Sequence, residues 1–372
     1  MEACNLGRVY DIITDPNEDE GRAFLDRIIG KRPLFICVIG TTETAKIPGI
    51  SAAGANPQIT DYTPPADVEL LYYGKCKSID GVPVTPEGIP TPAIITMSAL
   101  RLAEIPYIVL NAGVNVKPKT PYFEVDGKPG RDIRSGRAVE NPEEIFERSL
   151  LIGRNLSGVA DYLVVGESIP GGTTTSLAVL LAMGVDAEGK VSSSMPDNPH
   201  ELKIRVAREG LEVAKRSIGA SLANPFKAIS AVGDPMIPAC AGLICGAAEK
   251  IPVLMAGGTQ MCSVLNVVRN LSPKVLSNLA IGTTRWIIED KTSDIRGLVS
   301  QIAPVPILAI NLNFSDSKFK GLRAYERGVV KEGVGAGGSC IAAVMKTNGL
   351  LDRYLLFREI EKNYEALLAS VR

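Results

Sequence analysis

Apolar residues in this chain come in short unbroken runs, and most of the runs end at glycine. Leu34-Phe35-Ile36-Cys37-Val38-Ile39 stops at Gly40, Tyr107-Ile108-Val109-Leu110-Asn111 near Gly113, and Tyr162-Leu163-Val164-Val165 at Gly166. Ala228-Ile229-Ser230-Ala231-Val232 stops at Gly233, Pro252-Val253-Leu254-Met255-Ala256 at Gly257, and Asn278-Leu279-Ala280-Ile281 at Gly282. Pro306-Ile307-Leu308-Ala309-Ile310 closes the series at Asn311. Continuous rather than alternating apolar character predicts strands buried on both faces.

Helical patterns lie between these runs. Asn141-Pro142-Glu143-Glu144-Ile145 predicts a helix start, with Asn141 as N-cap and Pro142 in the first turn. Ser176 to Met183 and Glu201 to Ile218 predict two more helices. Strand, glycine loop, helix, repeated, predicts a doubly wound, mostly parallel α/β sheet, Rossmann-like and three-layered, with a smaller, partly helical subdomain. One such domain is expected to span residues 1–372. Residues 42–91, rich in Pro, Gly and small side chains, break the pattern and predict an irregular excursion, a lid or a subunit contact. Residues 350–372 predict an amphipathic C-terminal helix.

Composition narrows the chemistry. A net charge of -1 over 372 residues gives no basic field, so nucleic acid is not the expected partner. Scarce aromatics (5%) and 36 glycines suit a parallel sheet with many tight loops. No apolar run is long enough to span a bilayer, and Met1-Glu2-Ala3-Cys4-Asn5-Leu6 does not resemble a secretion signal, so a cytoplasmic protein is expected. The 7 cysteines form no C-x-x-C pair, and no metal or cofactor is expected. The single histidine, His200 in the turn Asp197-Asn198-Pro199-His200, excludes triads and multi-histidine metal sites. Acid–base chemistry therefore falls to carboxylates, Lys, Tyr or Cys.

Two segments carry that chemistry. Gly166-Glu167-Ser168-Ile169-Pro170-Gly171-Gly172-Thr173-Thr174-Thr175 follows a predicted strand and opens a predicted helix. Its N–H groups at a helix N-terminus, with no Cβ in the way, suit a phosphate. Without Gly-Lys-Ser/Thr it is not a P-loop, so a metal-bound triphosphate is not implied. A strand-to-helix turn in which the Thr run only caps the helix is the bland alternative. Lys331-Glu332-Gly333-Val334-Gly335-Ala336-Gly337-Gly338-Ser339 again sets a carboxylate beside glycines. Gly166, Gly171, Gly172, Thr173, Thr174, Gly333 and Gly335 are candidate phosphate or nucleotide contacts. Asn111, Gly257, Gly258, Arg285 and Lys331 are weaker candidates. For Arg285-Trp286, a packed indole beside a surface Arg is the competing reading; for Glu332, a solvated turn; for Glu167, a carboxylate bonded to nearby N–H groups.

The first segment resembles, without a gap, the Gly-Glu-Met-Gly-Ile-Gly-Asn-Thr-Thr segment of nicotinate-nucleotide:dimethylbenzimidazole phosphoribosyltransferases. Glu332-Gly333-Val334-Gly335-Ala336 resembles the Gly-Glu-Gly-x-Gly-Ala segment that supplies the family's catalytic glutamate. Asn111-Ala112-Gly113-Val114 and Gly136-Arg137-Ala138 through Glu144 resemble a family strand end and the helix start after it. The order is kept from Ile105 to Ala343, and the likeness is closest to an archaeal branch. Ile169 replaces a family glycine and Gly172 the asparagine before the Thr pair. The bacterial Ser-His segment and the N-terminal cover of the benzimidazole have no match.

The resemblance implies transfer of phosphoribosyl from nicotinate mononucleotide to an aromatic nitrogen base in cobamide lower-ligand assembly. It implies Glu332 as base, Glu167 beside the ribose, and a homodimer. Adenine or another base as acceptor remains open, as does a regulatory nucleotide-binding protein without activity. A dinucleotide oxidoreductase is disfavoured because no Gly-x-Gly-x-x-Gly follows the first strand.

Overall fold

In the computed structural model, residues 11–53, 59–85, 87–195, 197–219 and 221–369 are described. The reading of the first residues as lacking a signal, and Cys4 with it, lies outside them. So do residues 54–58 and 86 of the excursion and the last residues of the C-terminal tail.

The described residues form a sheet of strands β1 (Ile12–Asp15), β2 (Pro33–Gly40), β3 (Tyr107–Gly113), β4 (Phe123–Glu124), β5 (Tyr162–Ser168), β6 (Val253–Ala256), β7 (Leu279–Thr284) and β8 (Ile307–Ile310). Their spatial order is β1-β8-β7-β6-β5-β2-β3-β4. Only β1 runs antiparallel, against β8; the other pairings are parallel. The doubly wound α/β architecture expected from the sequence is the one observed.

Alternate strand residues feed two separate cores. Ile36, Val38, Leu163, Val165 and Met255 pack beneath the helices at Pro142–Leu156, Gly172–Ala182, Met236–Ala247 and Gln260–Leu271. Phe35, Cys37, Ile39, Val164 and Leu254 pack beneath those at Thr63–Tyr73, Ala93–Leu102, Ala336–Lys346 and Arg353–Ala369. Period-two alternation with both sides apolar explains why the runs read as continuous.

Three local expectations are corrected. Residues 228–232 are helical, within Pro225–Val232, because Asn224 accepts from the Lys227 N–H at 3.1 Å and Pro225 sits in the first turn. A short apolar run cannot by itself tell a buried strand from a buried helix, and the Asn-Pro signal decides it. Asn141 precedes its helix in a left-handed conformation (φ 49) and makes no side-chain cap bond. The helix expected from Ser176 begins at Gly172, so the Thr run is its first turn. Within the excursion, Thr63–Tyr73 is a regular helix with prolines in its first turn. The tail forms the helix Arg353–Ala369.

The direction of winding across the sheet reverses between the parallel neighbours β2 and β5. From β2 the chain winds outward to β3 and β4; from β5 it winds the other way to β6, β7 and β8. Loops leaving adjacent parallel strands diverge at such a point and open a crevice at their carboxyl ends. Glu167 and Ser168, in register with Val38 and Ile39, lie at that crevice.

Candidate active site

A cavity of about 580 Å³ occupies the crevice. Its lining includes Glu167 through Thr173 from the β5 turn, Val330 and Glu332 through Val334 from the second glycine segment, and Ser192, Ser193 and Ser194. The excursion supplies an apolar wall, with Ile50, Ala52, Val82, Val84 and Ile89, and the polar Asp67 and Thr91.

The two glycine segments, far apart in sequence, touch backbone to backbone. A Cβ on Gly166 would lie 3.0 Å from the Gly335 Cα, and one on Gly335 would lie 3.1 Å from the Gly166 Cα. The Val334 N–H donates to the Glu167 carbonyl at 3.0 Å. A side chain at either glycine would crowd the facing backbone, which yields less readily than a side-chain tip. This contact places Glu167 and Glu332 on one cavity.

The β5 turn brings a helix N-terminus to the cavity. Gly171 is left-handed (φ 76) and lies against Ala45, and the helix Gly172–Ala182 starts immediately after it. The Gly172 N–H turns onto the Ile169 carbonyl (3.3 Å), and the Thr174 N–H onto Gly171 (2.9 Å), while Thr173 lines the cavity. Those two N–H groups are engaged within the turn, and it is Thr173 and the positive end of the helix dipole that border the open space. Gly172 leaves room for Gln260, whose Nε2 would sit 1.9 Å from an added Cβ.

Burial and mutual repulsion govern the carboxylates. Glu167 is pushed up to about 8, first by burial and then by Asp234 and Glu332, although the Ile169 N–H donates to it at 3.1 Å. Glu332 is pushed up to about 7 by burial, against the pull of backbone N–H groups. The Gly337 N–H donates to its Oε2 at 3.1 Å, and the Gly333 N–H to its Oε1 at 3.1 Å. Asp67 and Asp234 are each raised to about 6 by burial. Thr91 and Ser168 hydroxyls donate to Asp67, both at 2.7 Å. Thr175 donates to Asp234 at 2.5 Å. Such a site holds exchangeable protons near neutrality and favours a cationic group between its carboxylates.

Glu332 therefore is not a solvated turn residue: it is half-buried, and its carboxylate accepts from the Gly333 and Gly337 N–H groups at the N-terminus of the helix Ala336–Lys346. Its backbone is unusual. Val330 (φ 68), Lys331 (φ 60) and Val334 (φ 55) are all left-handed, which costs about 1–3 kcal/mol per residue and persists only where the surroundings impose it.

The remaining sequence candidates separate into two groups. Gly258 lines the cavity with Glu167, Glu332, Gly171, Gly172, Thr173 and Gly333. Gly166 and Gly335 form the packing contact behind it. Thr174 is buried, and its Oγ1 finds no partner among the described residues. Gly257 accommodates Met261. Asn111 accepts from the Gly113 N–H at 3.0 Å and donates to Glu124 at 3.3 Å, away from the cavity lining. Arg285 is not a surface residue: it pairs with Glu326 and donates to the Leu312 carbonyl at 2.5 Å, while Trp286 packs on Phe314 and Tyr325. Lys331 turns away from the cavity to Asp290, at 2.6 Å. Among the described residues no cluster of His, Cys, Asp and Glu could hold a metal, and no helix is long and apolar enough to cross a membrane.

Comparison with known proteins places this geometry. A family model described as a phosphoribosyltransferase matches residues 94–286, just over half of the chain. A UPF0284 protein of Methanothermobacter thermautotrophicus is 48% identical over 326 residues, covering 87% of this chain and 90% of its own. One from Sulfolobus acidocaldarius is 47% identical over 352 residues, covering 93% and 99%. The chain belongs to the phosphoribosyltransferase family. Within it, the chain sits in an archaeal branch with the UPF0284 proteins. Its fold is also that of the nicotinate-nucleotide-dimethylbenzimidazole phosphoribosyltransferase of Thermus thermophilus, with a TM-score of 0.55, 17% identity, and 89% of this chain and 91% of that chain covered.

Several residues in and behind the cavity wall carry no signal in the sequence. Asp67 lies in the stretch with little periodicity, and no motif marks it. Ser192, Ser193 and Ser194 form a polar cluster legible as a loop but not as a wall. Behind that wall and outside the cavity lining, Lys203 sits in a helix whose pattern reads as amphipathic, yet it is fully buried and donates to the Ser192 carbonyl at 2.7 Å. Burial, followed by the neighbouring Lys331 charge, brings it down to about 7.

Proposed function

We propose that this protein transfers the phosphoribosyl group of nicotinate mononucleotide to a benzimidazole-type nitrogen base, giving an α-riboside 5'-phosphate and nicotinate, in cobamide lower-ligand assembly. The observation that carries the reading is the Gly166–Gly335 contact, which sets Glu167, Glu332 and the first turn of Gly172–Ala182 around one cavity. The name of the Thermus thermophilus structural neighbour supplies the donor and acceptor classes.

The phosphate lies at Gly171–Thr173, where the positive end of the helix dipole borders the cavity. The ribose lies beside Glu167 and the acceptor beside Glu332, against the apolar wall. The bond from the ribose C1' to the pyridinium nitrogen breaks, and its electron pair returns to the ring, giving neutral pyridine nitrogen in nicotinate. A lone pair on the acceptor's imine nitrogen forms the new bond to C1' from the opposite face, inverting that carbon. The proton on the acceptor's other nitrogen passes to the Glu332 carboxylate. The pyridinium is already a good leaving group, so the step needs one base and orientation of the two rings. Glu167, in its ionised form, steadies positive charge at the ribose. A cationic pyridinium entering between these carboxylates draws both toward that form.

The test is incubation of the purified protein with nicotinate mononucleotide and 5,6-dimethylbenzimidazole, read by mass spectrometry. Nicotinate and α-riboside phosphate appearing together are the expected result; adenine in place of the benzimidazole then defines the acceptor. Bound nucleotide with no transfer to any of these bases would overturn the reading in favour of a binding protein.

A further inference from the structure

The backbone that presents Glu332 is left-handed at Val330, Lys331 and Val334, and this conformation must be held from outside. Several bonds do so. The Val330 N–H donates to the Ser194 carbonyl (3.0 Å), the Val334 N–H to Glu167 (3.0 Å), and the Thr284 hydroxyl to the Lys331 carbonyl (2.7 Å). The charged contact is Lys331 Nζ to Asp290 Oδ2 at 2.6 Å, with side chains only 3% and 6% exposed.

Asp290 is fixed independently of the cavity. Its Oδ1 accepts from the Thr292 N–H (2.9 Å) and hydroxyl (2.8 Å), and its Oδ2 accepts from the Ser293 hydroxyl (2.9 Å). Neither Lys331 nor Asp290 lines the cavity. Lys331 immediately precedes Glu332, so an ammonium anchored to a rigid turn fixes the peptide from which the carboxylate projects. A neutral pair of similar shape would fill the same volume. A buried ion pair often contributes little to net stability over such a replacement, which leaves positioning as its role.

We infer that the Asp290–Lys331 ion pair is a positioning clamp that holds the strained segment 330–335 so that Glu332 faces the acceptor. The inference rests on Glu332 being the base, as proposed above.

The test uses Asp290→Asn, Lys331→Met and the double variant, each compared with wild type by transfer kinetics, melting and hydrogen exchange of segment 330–335. The single variants leave one buried charge unpaired and are expected to melt lower. The double variant removes both charges and is expected to recover most of the melting temperature. Its kcat nevertheless stays about 10- to 100-fold down, with KM for nicotinate mononucleotide within about threefold, because the phosphate turn is untouched. Exchange in 330–335 rises about tenfold in the double variant, a readout that needs no activity. A double variant that regains wild-type kcat, or whose 330–335 amides exchange as in wild type, overturns the clamp. So does a raised KM at unchanged kcat. If wild type transfers nothing while exchange still rises in the double variant, the clamp stands and the assignment of Glu332 as base fails.

Discussion

Glu167 and Glu332 come from segments that look alike in sequence and are built on different principles. Glu167 is the penultimate residue of a regular strand: its backbone is set by the β2 register, with Val38 opposite it, and the left-handed turn falls later, at Gly171. Glu332 stands in an irregular segment with left-handed residues on both sides, held by contacts to Ser194, Thr284, Asp290 and Glu167. A sheet position is imposed by many equivalent hydrogen bonds and tolerates loss of one. A strained loop is imposed by a few specific contacts, so its geometry depends on each. The comparison suggests a site in which one carboxylate is rigid scaffold and the other is placed only while its few anchors hold.

The strongest test of that contrast is Glu332→Gln, expected to lower transfer by about 10²- to 10⁴-fold, the contribution of a positioned base, with nucleotide binding nearly unchanged. Nicotinate release and equilibrium binding measured on one preparation check it; a variant with near-normal turnover would remove Glu332 from the chemistry. Glu167→Gln is expected to lower kcat by about 10- to 100-fold, because it loses charge stabilisation but no proton acceptor. An effect on KM alone would make it a binding residue.

Next is the contact between the two segments. Gly166→Ala is expected to destabilise the fold by about 2–4 kcal/mol, since Cβ meets backbone at Gly335. Urea unfolding reads this directly. Gly172→Ala is expected to be milder, raising nucleotide KM severalfold, because the obstructing atoms are the tip of Gln260 and the Cγ2 of Ile169, side chains that can shift where backbone cannot.

The smallest effect expected is on stability against pH. Glu167 and Glu332 titrate at about 8 and 7 in the folded chain, above the ordinary value of about 4.3 in the unfolded one. The folded state therefore holds more protons between these limits, and stability falls as pH rises through about 7 to 8. Glu167→Gln should flatten that fall, melting a few degrees higher than wild type at alkaline pH while being less active. Thermal melts across the range, with the slope unchanged by the substitution, would show that this carboxylate is not held protonated by its burial.

Much of this was legible beforehand. The strand ends at Gly40 and Gly113 followed from unbroken apolar runs, because a parallel strand covered on both faces has no polar side to display; β5 runs two residues past the expected Gly166, to Ser168. Both glycine–carboxylate segments were visible for a related reason: close backbone approach tolerates no Cβ, so the need for proximity is written as glycine. Residues 228–232 misled, since five apolar positions fit either period, and only Asn224-Pro225 marks the helix.

What the sequence by itself determined is the α/β layering and the residue types at the crevice, both local consequences of hydrophobic pattern and of glycine's missing side chain. What only the tertiary structure decided is which residues meet. Asp67 reaches the site because the excursion folds its helix against the β5 end, and Lys331 leaves the site because Asp290 lies behind it. Arg285, charged and adjacent in sequence to a strand end, is drawn to Glu326 instead. Charges separated by long stretches of chain find partners through the packing of the sheet. No local pattern encodes that pairing, because burial cost and Coulomb attraction depend on distance in space.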